Sequence, residues 1–89
     1  MTTVINMLER RAYDENKHVY IGRPSKWGNQ FRIGPDGTRE EVVAKYRAWV
    51  VQQPDLMAAL PELKGRELAC WCAPSRCHGD VLAELADAL

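Results

Sequence analysis

The chain has 89 residues and a mass of 10.1 kDa, room for one domain (1–89) with a modest core. Twelve Lys/Arg balance twelve Asp/Glu and 46% of the residues are hydrophobic, which excludes a disordered chain and a generally basic nucleic-acid coat. Apolar runs fall far short of the roughly 20 residues of a membrane span, and Met1 to Leu8 lacks the pattern of a signal peptide, so a cytoplasmic protein is expected, in a host cytoplasm if phage-encoded.

In chain order, Thr3 to Asn6 is short and β-branched and predicts a strand. Glu9 to Lys17 is dense in charge and reads as a surface connection, and His18 to Ile21 predicts a second strand stopped by Gly22 and Pro24. The loop Arg23-Pro24-Ser25-Lys26-Trp27-Gly28-Asn29-Gln30-Phe31 follows, with two cations and two aromatics. Gly34-Pro35-Asp36-Gly37 is a turn by composition. Thr38 and Glu41 match a capping box, and Val42, Val43, Tyr46, Trp49 and Val50 form one apolar stripe. A helix is therefore predicted over about 39–52, ended by Pro54, with a short helical turn over 55–60. Glu67 to Cys72 predicts a buried strand, and Ala73 to Arg76 a tight connection. Val81, Leu82, Leu85, Ala88 and Leu89 share one face of a terminal helix over about 77–88. This alternation predicts a small α/β domain: a short, mainly parallel sheet of three to four strands packed with two main helices.

Cys70, Cys72 and Cys77 crowd into eight residues, with His78 next to the last. Such a cluster staples no distant segments, which argues against a secreted disulfide framework and for metal, thiol or ligand chemistry. With the strand running through Cys72, Cys70 and Cys72 share a face and Trp71 points away from it. Cys77 and His78 then fall in the first turn of the helix, where free N–H groups and the helix dipole favour thiolates and anions, and Arg76 adds a cation. Three readings fit. The cysteines are small buried hydrophobes with His78 as a capping group; or Cys70, Cys72, Cys77 and His78 hold zinc, at a spacing unlike the usual C-x2–4-C knuckle; or they line a pocket with Cys77 as nucleophile and His78 as its acid or base.

Upstream, Arg23 as a bidentate fork and Lys26 as a point charge suit a phosphate or carboxylate, Trp27 offers a stacking face, and Asn29 suits a base edge. The plainer reading has Trp27 and Phe31 clamping the loop to the core and Asn29 closing a turn. Tyr46 and Trp49 are assigned to the core.

Three stretches in this order, Ile21 to Phe31, Gly37 to Glu41, and Leu68 to Cys72 with Cys77-His78-Gly79-Asp80-Val81-Leu82, resemble the DUF4326 family over nearly the whole chain. Its members are small phage and bacterial proteins known only as a domain of unknown function. Gln30 stands where that family's pattern has proline. More distantly, the strand–cysteine–loop–Cys-His–helix segment is similar to another uncharacterised α/β family with a Cys-His-Arg motif, whose Arg is replaced here by Gly79. The resemblance implies a fold and a location for the site, not a reaction. The resulting expectation is an anion-recognition crevice of Arg23, Lys26, Trp27, Asn29 and Arg76 facing Cys70, Cys72, Cys77 and His78, suited to a nucleotide or related phosphate compound. No P-loop or dinucleotide fingerprint is present, which excludes kinase and dehydrogenase chemistry of those types. The alternatives are a zinc-stabilised mini-domain and a phage-encoded protein docking on a host factor. No cofactor is assigned outside the zinc reading, and a homodimer through the C-terminal helix is expected if its apolar face lacks cover.

Overall fold

A β-branched segment near the start, another at His18 and the apolar run before the cysteines meet as neighbouring strands. The computed structural model describes residues 2–6, 18–23, 25–71 and 77–89; Cys72 and Arg76 lie outside them. β1 (Thr3–Asn6), β2 (His18–Tyr20) and β3 (Glu67–Cys70) form one sheet in the order β1-β3-β2. Both pairings are parallel, with Glu67 opposite Thr3 on one side and His18 on the other. Parallel strands need cover on their faces, and the central one reads as a continuous apolar run for that reason. Leu68, Ala69 and Cys70 are accordingly buried.

α1 (Arg39–Val50) starts at the expected capping box: Thr38 accepts from the Glu41 N–H, and the Glu41 carboxylate accepts from the Thr38 N–H at 3.0 Å. It ends two residues earlier than the periodicity suggests. Pro54 opens α2 (Pro54–Ala59) as its first residue, where a missing N–H costs nothing, and a 3-10 turn follows at Leu60–Glu62. α3 (His78–Asp87) has Cys77 as its N-cap.

The core sits between the sheet and the helices and includes Ile21, Tyr46, Val50, Leu60, Leu63, Leu68, Val81 and Leu82. Fully burying one such aliphatic side chain contributes about 1.5–3 kcal/mol. Along the predicted apolar face of α3, Val81 and Leu82 are buried within this chain, Leu85 is half-buried, and Ala88 and Leu89 are exposed. Thr2 closes the two ends of the chain together, donating its N–H and hydroxyl to the Asp87 carboxylate.

Among the described residues, no helix is long and apolar enough to cross a membrane.

Candidate functional site

Because all three strands are parallel, their carboxyl ends lie at one edge of the sheet, the edge where ligands bind in open α/β sheets. From that edge three segments diverge: the loop after β2, the chain after β3, and the N-terminus of α3. Between them and the start of α1 lies an open crevice of about 550 Å³.

Arg23, Asn29, Cys70, Cys77 and His78 all line this crevice. Thus the loop after β2 and the cysteine–histidine segment, far apart in sequence, do meet. Arg23 is exposed and close enough to His78 to disfavour a second positive charge there. Its loop is folded tightly by Ser25 N–H to Gly22 O at 2.9 Å and Gly28 N–H to Ser25 O at 3.0 Å. Gly28 permits that closure: a Cβ there would stand 2.9 Å from Arg23 Cγ and 3.1 Å from its Cα.

His78 is held firmly. Its Nε2 lies 2.7 Å from the Ile21 carbonyl, which only accepts, so Nε2 carries the proton and Nδ1 keeps the lone pair. The Ile21 N–H in turn donates to Ala69 O at 3.0 Å, so one residue ties α3 to β3. Tyr46 stands edge-on to the imidazole at 5.0 Å and donates its hydroxyl to Trp27 O at 2.8 Å. Burial pushes the His78 pKa below its ordinary value; Arg23 adds to that shift, while the Ile21 bond and Asp80 oppose it. Burial likewise raises the Tyr46 phenol far above its usual range.

The Cys70 and Cys77 sulfurs lie 3.4 Å apart. Cys77 Sγ accepts the Gly79 N–H at 3.3 Å, and the Asp80 carboxylate returns to the Cys77 N–H at 2.9 Å, a capping box with sulfur as the cap. Among the described residues, no hydrogen bond joins the His78 ring to the Cys77 sulfur, and no group of three His, Cys, Asp or Glu side chains is gathered to hold a metal. Cys72, the fourth member of the Cys3His set, falls outside the described residues, as does Arg76.

Two expected contributors stand elsewhere. Trp27 is 2% exposed and packs into the core, so it presents no face to a ligand. Lys26 pairs with Glu62 at 3.2 Å and lies over the Trp27 ring, away from the lining. Asn29 does line the crevice, but its carboxamide is engaged: Oδ1 accepts from Phe31 N–H at 2.9 Å and Nδ2 donates to Val42 O at 3.3 Å. Through these two bonds it positions the loop against α1.

Other lining residues escaped the sequence reading. Among the described residues, Arg32 and Arg39 bring the guanidinium groups around the crevice to three, and none of the lining side chains is a carboxylate. Arg39 had a legible signal, since a cation on the first helical residue opposes the helix dipole and asks for another reason to be there. Trp71 was expected to point away from Cys70 by strand alternation. The strand stops at Cys70, however, and Trp71 stands at the rim, 58% exposed, its indole N–H donating to the Tyr20 hydroxyl at 3.2 Å. Tyr20 passes the link on to Arg23 O at 2.9 Å.

A family model described as "Domain of unknown function (DUF4326)" matches residues 5–88. An "Uncharacterized protein R718" of Acanthamoeba polyphaga mimivirus is 37% identical over 89 residues, covering 80% of this chain and 68% of its own. An "Uncharacterized 12.4 kDa protein in nrdA-td intergenic region" of Enterobacteria phage T4 is 32% identical over 82 residues, covering 86% of this chain and 74% of its own. No solved structure matches.

Proposed function

The chain belongs to the DUF4326 family, whose description carries no activity, and from its crevice we propose that it binds a nucleotide or a closely related phosphate compound. The observation that carries this reading is the lining itself: Arg23, Arg32 and Arg39 around a concavity with no carboxylate among its described lining residues, beside the exposed indole of Trp71. Guanidinium forks suit phosphate oxygens, and an exposed indole suits a base or another flat ring. The reading concerns binding. His78 holds Ile21 through Nε2 at 2.7 Å and keeps the Nδ1 lone pair as an acceptor.

Calorimetric titration with nucleoside 5′-phosphates and the matching nucleosides tests the proposal. The phosphates are expected to bind and the nucleosides to bind far less well. Arg23→Ala is expected to weaken binding about tenfold or more, the size of a lost charge-assisted hydrogen bond. Trp71→Ala should weaken it while leaving the preference for phosphate intact. Equal indifference to nucleotides and nucleosides, or full binding by Arg23→Ala, would overturn the reading.

A further inference from the structure

Cys70 ends β3 and Cys77 caps α3; the two residues are not joined by a disulfide and are 1% and 3% exposed. Most buried cysteines are inert because apolar groups seal them on every side. This pair differs in two ways: the sulfurs approach to 3.4 Å, and both residues also line the crevice, the side from which a small reagent approaches. The Gly79 N–H and the positive end of α3 favour negative charge on the Cys77 sulfur.

We infer that Cys70 and Cys77 form a reversible oxidation site at which a hydroperoxide converts the two thiols to a disulfide. The Cys77 thiolate attacks a peroxide oxygen, so an S–O bond forms, the O–O bond breaks, and the departing hydroxide or alkoxide takes up a proton. Cys70, giving up its proton, then attacks the sulfenic sulfur; the S–S bond forms, the S–O bond breaks, and water leaves. The dithiol loses two electrons and the peroxide gains them. A thiol reductant reverses the change by exchange. Closing the sulfurs to the roughly 2.05 Å of a disulfide joins the end of β3 to the start of α3 along one crevice wall. The inference stands on the sulfur pair and holds whatever the crevice binds.

The test oxidises the full chain with a stoichiometric amount of hydrogen peroxide and follows intact mass and peptide linkage in three proteins: the parent, Cys72→Ser, and the double variant Cys72→Ser/Cys77→Ser. Serine is itself a good N-cap, so replacing Cys77 keeps the start of α3. The parent and Cys72→Ser are each expected to lose two hydrogens, to yield one peptide pair joined through Cys70 and Cys77, and to revert with dithiothreitol. The double variant should never lose two hydrogens. A Cys72→Ser protein that stays reduced or only gains oxygen, or a parent whose linkage runs through Cys72, would overturn the inference.

Discussion

His78 shows how one side chain serves both packing and the crevice. The residue is 7% exposed, its ring hydrogen-bonded to Ile21 and edge-on to Tyr46, and this burial favours the neutral form. Its folded pKa is therefore below 6.5, the unfolded reference, and the unfolded chain binds more protons in the window between the two values. Stability accordingly rises with pH across that window: it is fully present above 6.5 and declines as the solution is acidified below it. Urea denaturation from about pH 7.5 to pH 5 should show this decline in the parent and a flatter profile in His78→Gln. Asp87 and Glu41, also held below their ordinary values, by Thr2 and Thr38 hydrogen bonds respectively, contribute only at more acidic pH and do not obscure the effect. Arg23, Cys77 and His78, singled out by residue type, do stand together along the crevice. Trp27 and Lys26 stand apart from it, because composition cannot say whether a loop aromatic faces inward or whether a lysine finds a distant Glu62.

The elements were legible where local chemistry fixes them. The Thr38–Glu41 capping box and the apolar stripe of α1 were both readable, and so were three short strands. The second capping box was not, since cysteine is an uncommon cap and Cys77–Asp80 is recognisable only once the helix start is known. The end of β3 was placed two residues too late, because the apolar character of the run continues past the last residue paired in the sheet. How closely α3 approaches the sheet depends on Gly79. A Cβ there would stand 2.8 Å from Ile21 Cδ1 and 3.1 Å from Val4 Cγ1, so the helix N-terminus rests against both residues. Gly79→Ala is expected to lower unfolding free energy by about 1–3 kcal/mol, the cost of overpacking a core contact, despite alanine's better helix propensity. A denaturation midpoint equal to or above the parent's would show that this contact yields.

For the whole molecule, the balanced formal charge conceals a local imbalance. Among the described residues, three arginines surround the crevice, whereas Glu62, Glu84 and Asp87 stand away from its lining, paired with Lys26, Arg47 and Thr2. A neutral protein can thus carry a positive site, and binding there should weaken as salt screens it. Sheet topology makes this arrangement: β3, placed between β1 and β2, carries Cys70 and Trp71 to the same edge as Gly22 and Arg23. That meeting was expected from motif order, but the extra arginines were not, because they reach the crevice from the segment before α1 and from its first turn. The most direct test is a titration of isotope-labelled protein with a nucleoside monophosphate, read by nuclear magnetic resonance. The account predicts saturable shifts at the Gly22, Phe31, Trp71 and His78 amides and the Trp71 indole, with Ala48 at the far end of α1, Gln52 just beyond it and Asp55 in α2 unchanged. Shifts confined to that far end, or none at saturating ligand, would contradict it.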